Sequence, residues 1–302
     1  MRYNNPEDTI IMTREWTGER YSDGRPKVLD SVLDRLREIK LAEAWGPLFR
    51  RKYRFQHECD FKMTHPGAQL VGRAVTATMV PSRPDVHMTL LDYGHKEENY
   101  TGFFNQWVVD GLQENDVLVV DMFDKVLSGT FIGGNLATSI KSRTKRGGAV
   151  MWGGLRDLEQ VSAIDDFQVY YRGDDPAAID GAMMTGINVP CRIGRAVCIP
   201  GDVVLGTTSG VIFIPPHLAE TVAAAGEKTR LKDAFGFERL KEGIYSSAHI
   251  DVSVWQKEVM DDFQQWLKAS PHAEEFKHLD WSEEIEASNN AVPGTIFTGL
   301  AL

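Results

Sequence analysis

A chain of 302 residues is long enough to bury a substantial core, as one large domain or two small ones. Its 42% hydrophobic and 25% charged content is ordinary globular usage and excludes a disordered tail protein or a coiled coil. A formal charge of −10 argues against a nucleic-acid partner, because neutralising phosphates takes clustered Lys and Arg. The three cysteines, Cys59, Cys191 and Cys198, form neither a CxxC pair nor a disulfide framework; with no signal-peptide start and no run of about 18 apolar residues, a cytoplasmic protein without a membrane partner is expected.

Residues 1–26 are polar and rich in turn formers, and read as an arm that covers another subunit. From Val28 to Trp45 apolar residues recur at three- and four-residue steps, which predicts one amphipathic helix stopped by Gly46-Pro47. Arg73 to Val80, β-branched and closed by Pro81, predicts a strand, and the long polar stretch Ser82 to Gly102 follows it. Asn105 to Leu112 reads as a short helix, and Val117 to Asp121 as a buried strand with Asp121 at its end. Within Phe131 to Lys145 a Gly-Gly turn opens a helix; its cationic end, Lys141 to Arg146, reads as a solvated helix terminus in preference to a phosphate grip. Gly148 to Trp152 is a second buried strand, leading to a second glycine turn at Gly153-Gly154. Short strands are expected at Phe167–Tyr171, Pro190–Ile193, Ala196–Val197, Val203–Gly206 and Val211–Ile214, then helices at Leu218–Ala234 and Val254–Leu267, with the final twenty residues irregular.

Two glycine turns carry the chemistry. Gly133-Gly134-Asn135-Leu136 opens a helix with free N–H groups and no Cβ in the way, which suits a carboxylate or phosphate; a tight packing turn explains the same glycines. Arg156-Asp157 follows the second turn: a guanidinium can hold a carboxylate or enolate oxygen and an adjacent Asp a hard cation, against the alternative of a surface ion pair. Trp152 is a candidate wall for a ring or sugar face, or plain core. Asp121 and Asp124 are further acids for a site or for turns, while the histidines form no HxH or HExxH pattern and do not predict a zinc centre.

Asn135-Leu136-Ala137-Thr138-Ser139, an intervening helix and strand, and Gly153-Gly154-Leu155-Arg156-Asp157 together resemble the RraA-like family, which includes 4-hydroxy-4-methyl-2-oxoglutarate and 4-carboxy-4-hydroxy-2-oxoadipate aldolases. Asn188-Val189-Pro190, Pro200-Gly201-Asp202 and Gly210 to Pro215 extend the resemblance, and Arg20 to Trp45 is similar to the leader of longer members. The resemblance implies an α/β chain with a swivelling β/β/α domain at 27–250, an N-terminal arm at 1–26 and a helical extension at 251–302, assembled as trimers or hexamers. It also implies that Gly133, Gly134, Asn135 and Leu136 bind a pyruvyl carboxylate, that Arg156 steadies an enolate, and that Asp157 takes Mg²⁺ or Mn²⁺; beside it, Asp121 and Asp124 are acids in reach of a replacement acid or metal-shell role. A base from the helix after Pro216 of a neighbouring subunit would be Glu227 or Asp233.

Two positions depart from that pattern. The aldolases carry an acid about twenty residues before the Arg-Asp pair, where this chain has Asn135, or Gly134 if one residue is inserted; the Asp commonly found before the second glycine turn is Trp152. The expected activity is a divalent-metal-dependent lyase on a 2-oxo acid, by retro-aldol cleavage to pyruvate or oxaloacetate-type decarboxylation. Its rivals are an isomerase or hydratase using the same anion pocket for a sugar-derived acid, and a non-enzymatic regulator like the family's ribonuclease-binding namesake.

Overall fold

From the N-terminus come helices α1 (Pro6–Met12), α2 (Asp30–Leu36) and α3 (Leu41–Arg50), short strands β1 (His57–Glu58) and β2 (Lys62–Met63), and the long strand β3 (Leu70–Pro81). Helices α4 (Pro84–Lys96) and α5 (Phe104–Asp110) lead to β4 (Asp116–Lys125), α6 (Gly134–Thr144) to β5 (Ala149–Leu155), and α7 (Leu158–Ser162) to β6 (Val169–Tyr171) and β7 (Gly173–Asp174). Strands β8 (Ala182–Ile187), β9 (Cys191–Ile193), β10 (Ala196–Cys198), β11 (Val203–Thr207) and β12 (Gly210–Ile214) precede α8 (Ala219–Lys241), α9 (Ser247–Ile250), α10 (Lys257–Ala269) and α11 (Ser282–Asn289). This computed structural model describes residues 3–271 and 274–291. Two compact units, Met1–Ala223 and Ala224–Leu302, divide inside α8.

The first unit is built on a sheet ordered β1-β12-β11-β3-β4-β5-β6-β2, with β8 on β3 and β7 on β5. Neighbours β3, β4, β5 and β6 run parallel, whereas β11, β12, β8 and β2 join antiparallel. Both faces of the parallel centre are covered, so its strands read as continuous apolar runs whose alternate residues part company. Leu118, Val120 and Met122 of β4 enter a core shared with α4, α5 and α6, while Val117 and Val119 enter a second core with Cys191, Ile193, Ala196 and Cys198. A helical layer, the sheet and a small β layer of β9–β10 therefore stack as the β/β/α arrangement, with added helices at the termini.

Several expected elements differ. The single helix from Val28 to Trp45 is two helices, because the Lys40 N–H is taken by the Glu43 side chain, which starts α3 afresh; Gly46-Pro47 lies inside α3 and does not stop it. The polar stretch Ser82 to Gly102 contains α4, opened by Pro84 with Asp85 in its first turn and holding Leu90 in the core. Gly153 and Gly154 are not a turn: both lie within β5, where a Cβ on Gly153 would meet Met122 Cβ at 2.6 Å and one on Gly154 the Val126 carbonyl at 2.8 Å. The chain turns one step later, at Arg156-Asp157. Residues 282–289 of the C-terminal segment form α11, and the positions after 291 lie outside the described residues.

The N-terminal arm packs on its own chain. Tyr3 is fully buried, its hydroxyl donating to the Leu90 carbonyl at 3.0 Å and its ring meeting Trp107 edge-on. Arg25, also fully buried, donates through both Nη atoms to Asp116 (2.8 and 3.2 Å) and through Nε to Asp23 (2.7 Å). Burial pulls the guanidinium toward neutrality, but the two carboxylates outweigh it and hold Arg25 above the ordinary arginine value.

The second unit has its own apolar centre of Leu231, Phe235, Trp255, Val259, Met260 and Phe263, with a bidentate Arg239–Asp262 pair at 2.8 and 2.9 Å. Among the described residues no helix is long and apolar enough to cross a membrane.

Candidate functional site

The parallel strands β4 and β5 end at the same edge of the sheet, and polar residues placed there become accessible without breaking the core. Asp121 pairs with Trp152 and Lys125 with Gly153, so Met122, Phe123 and Asp124 bulge out of the ladder; Phe123 and Asp124 take left-handed backbone (φ 45° and 61°). Ile132 bridges to Leu155, and the Arg156 N–H donates to the Ile132 carbonyl at 3.1 Å, which sets the start of α6 beside the end of β5.

This stitching brings Gly133, Gly134, Arg156 and Asp157 together. Asp157 holds φ at 55°, a left-handed conformation that costs a non-glycine residue about 1 kcal/mol or more. It occupies the N-cap position of α7 yet makes no side-chain cap there; its Oδ2 accepts the Gly134 N–H at 3.1 Å and so caps α6 instead. The Arg156 Nε lies 3.8 Å from the same oxygen, and the two side chains are 36% and 33% exposed. A Cβ on Gly133 would come within 2.5 Å of Asp157 Oδ2 and 2.6 Å of Arg156 Nε, so this glycine exists to let the pair approach the helix start. Asn135 is exposed and Leu136 is partly buried against the helical core.

The other expected residues have different surroundings. Trp152, 7% exposed, is edge-on to Phe61 at 5.5 Å, and the Arg172 guanidinium lies 4.4 Å from its ring centroid. As a wall for substrate it is therefore already occupied by its own chain. Asp124 accepts from Arg172 Nε at 2.8 Å, so it belongs to this aromatic–arginine cluster. Asp121 is buried and bonded to the Phe123 N–H at 2.8 Å; burial pushes its carboxyl up against the pull of that bond. Glu227 and Asp233 belong to the second unit: Glu227 is 3% exposed with Oε2 at 3.0 Å from His278 Nε2, and Asp233 is half-buried.

Sequence reasoning missed two residues. Gln160 stands over Gly134, where it fills the space a Cβ would take; the spacing Asp157-x-x-Gln160 has the form of a capping box and was the available signal. Arg172, which seals Trp152, carried no local signal, because it follows a short strand of the same sheet.

A divalent cation is implied by the resemblance, and the donor set is compatible with only one kind of site. Among the described residues no group of three His, Cys, Asp or Glu side chains converges, so these side chains form no closed cage there. Asp157 is a partly exposed carboxylate with Oδ2 engaged by one amide, and this fits a hard cation of the Mg²⁺ type that keeps most of its waters.

A family model described as Aldolase/RraA, RraA-like, matches residues 30–213. A Halalkalibacterium halodurans protein provisionally named a 4-hydroxy-4-methyl-2-oxoglutarate aldolase is 30% identical over 121 residues, covering 39% of this chain and 55% of that one; the match thus spans about half the relative's length. Among solved structures, Streptomyces coelicolor RraAS2, described as an unusual member of the RNase ES inhibitor RraA family, superposes with a TM-score of 0.61 at 22% identity over 70% of this chain and all of that one. A protein described among novel cellulases from gut-associated microbes gives 0.58 at 21% identity over 76% and 96%. Descriptions that disagree this widely at such identities speak for the shared fold and not for a shared reaction. With more than half its length matched by the family model and with that fold, this chain belongs to the RraA-like family.

Proposed function

We propose that this protein is a divalent-metal-dependent lyase acting on a 2-oxo acid, which it cleaves by a retro-aldol step to release pyruvate or decarboxylates when the acid resembles oxaloacetate. The observation that carries the reading is the convergence of Arg156, Asp157 and the Gly133-Gly134 helix start at one sheet edge, held by a left-handed aspartate whose carboxylate caps a helix other than its own.

In such a reaction the bond beyond C3 of the substrate breaks and its electron pair passes into an enolate, so negative charge grows on the former C2 carbonyl oxygen. The Arg156 guanidinium, partly exposed and not locked into a bidentate pair, is placed to receive that oxygen or the neighbouring carboxylate. The N–H groups opening α6 point their partial positive charge at the same place and suit the C1 carboxylate. Asp157 now holds the Gly134 N–H, so an incoming carboxylate takes that amide in competition with it. Asp157 would hold a divalent cation, which would supply further positive charge to a developing enolate. The aldol hydroxyl proton leaves to a base, and the enolate is then protonated to pyruvate.

The test is a coupled pyruvate-release assay over a panel of 4-hydroxy-2-oxo acids and oxaloacetate, with Mg²⁺, Mn²⁺ or EDTA. Release that needs the metal and disappears in Arg156→Ala and Asp157→Ala supports the lyase; no turnover of any panel member by folded protein overturns it.

A further inference from the structure

The opposite end of α6 faces a cavity of about 480 Å³ that the lyase chemistry does not use. Its lining includes Arg37, His65, Lys141, Lys145 and Arg146, against a single carboxylate, Asp166. The members come from the C-cap of α2, the approach to β3, the end of α6 and the approach to β6, so segments distant in sequence assemble the positive charge. In a chain of net charge −10 such a concentration is not a sample of the average surface.

The plain explanation is that cations gather at a helix C-terminus to satisfy its carbonyls. It accounts for Lys141, whose Nζ donates to the Lys145 and Asp166 carbonyls at 2.8 and 3.0 Å. Lys145 has a carboxylate of its own, Glu114 at 2.7 Å. It does not account for the two arginines. Arg37 belongs to another helix and Arg146 lies beyond the end of α6, and they share one carboxylate: Asp34 is 2.8 Å from Arg146 Nη1 and 3.6 Å from Arg37 Nε. That second distance is too long for a hydrogen bond, and Arg37 Nε is buried without a hydrogen-bond partner. Burial first, and then repulsion by Arg146, pull the Arg37 guanidinium below the ordinary arginine value. Arg37 also donates from Nη2 to the Val71 carbonyl at 2.9 Å and feels Asp30 beyond Asp34, but its Nε stays unbonded and the carboxylate beside it is the one Arg146 already holds.

We infer that this cavity is a second ligand site, for a small molecule bearing a multivalent oxyanion, either a phosphate ester or a di- or tricarboxylate, gripped between Arg37 and Arg146 with Lys145 at the rim. The planar guanidinium fork matches either group through paired N–H donors. The cavity falls within the usual range for small-molecule sites and is roomier than one phosphate requires, so the ligand carries an organic body beside its charge. Along the eleven residues of α6 the site is roughly 16 Å from the Gly134 amide, and the inference stands or falls apart from the lyase reading.

Calorimetric titration of the whole chain with pyrophosphate and, separately, with citrate tests it. The expected result is saturable binding of at least one probe at one per chain, weakened on the order of ten-fold in Arg146→Gln and also weakened in Lys145→Gln, and unchanged in Arg156→Ala. Both substituted side chains are more than half exposed, so the fold tolerates their loss. Preference for pyrophosphate assigns a phosphate ester, and preference for citrate a polycarboxylate. Absence of saturable binding by both probes overturns the inference, as does binding that survives Arg146→Gln and is lost in Arg156→Ala.

Discussion

Arg25 reaches Asp116 across ninety-one positions of sequence, whereas Arg156 meets the residue beside it, and the two pairs differ in whether their charge is available to a ligand. In the first pair both side chains are fully buried, the contact is bidentate, and Asp116 accepts a further N–H from Gln113 at 2.8 Å. In the second, both side chains are about one-third exposed, Nε stands 3.8 Å from Oδ2, and the carboxylate is shared with a backbone amide. A saturated buried pair holds structure in place and has nothing left to offer, while an open and under-satisfied one retains donors and acceptors for a substrate. The same two residue types serve as a lock in one place and as a candidate reaction centre in another.

The largest effect expected from this contrast is on stability. Arg25→Ala strands Asp116 in the interior and leaves the partly exposed Asp23 without its partner, and should cost roughly 3–5 kcal/mol in urea denaturation. It should also loosen the arm, which becomes a target for limited proteolysis before Pro26. A cost below about 1 kcal/mol, the range of surface ion pairs, would erase the distinction drawn here. Arg156→Ala should do the reverse: pyruvate release falls by roughly 10²–10³-fold, the usual effect of removing a donor to a developing oxyanion, while the midpoint of thermal unfolding stays within a few degrees of the parent. Substantial unfolding in Arg156→Ala would make the second pair structural as well.

Gly133→Ala sharpens the comparison, since it alters no charged group. The new Cβ collides with the Asp157 carboxylate and the Arg156 side chain, both partly exposed and able to move aside, so the stability cost should be small. Displaced by the better part of an ångström, the pair should nevertheless lose roughly 10–10²-fold in turnover. Equal activity in Gly133→Ala and parent would mean that the approach of the pair to α6 is packing alone.

Much of the scaffold around the second pair was legible in the amino-acid order, and the reasons are physical. Val117 to Val120 and Ala149 to Met151 are covered on both sides of the sheet, so an unbroken apolar run identified them as strands. Glycine punctuation misled where it served packing: Gly153-Gly154 has the composition of a turn but lets β5 lie close to Met122 and Val126. Helix α4 was hidden because most of its surface faces water, so that only its termini, Pro84-Asp85 at the start and His95-Lys96 in the last turn, marked it. The convergence of Gly133, Gly134, Arg156 and Asp157 was readable because one helix and one strand separate the motifs. Nothing local announced that Phe61 and Arg172 would enclose Trp152, since both arrive from links beside other strands, just before β2 and between β6 and β7.

A third carboxylate completes the series with the smallest effect. Asp202, 2% exposed, is nearly as buried as Asp116, but no arginine answers it: among the described residues its carboxyl takes one N–H, from Ile199 at 2.8 Å. Burial pushes it up to about 7 against the pull of that bond. The sign follows from proton counting. Between the ordinary aspartate value near 4 and the folded value, the native chain keeps a proton that the unfolded chain has released, so stability falls as pH rises through that window and levels off above about 7. Asp202→Asn, which stays neutral and can still accept the Ile199 N–H, escapes this loss. Its stability relative to the parent should improve by roughly 1–2 kcal/mol between pH 4.5 and 7.5 and then stay level, a shift reduced from its nominal size by relaxation around the adjoining cavity of about 250 Å³. Parallel urea denaturation of the two proteins across that range measures the difference. A difference that does not change with pH would mean that Asp202 is ionised in the fold, with a compensating partner as Asp116 has in Arg25.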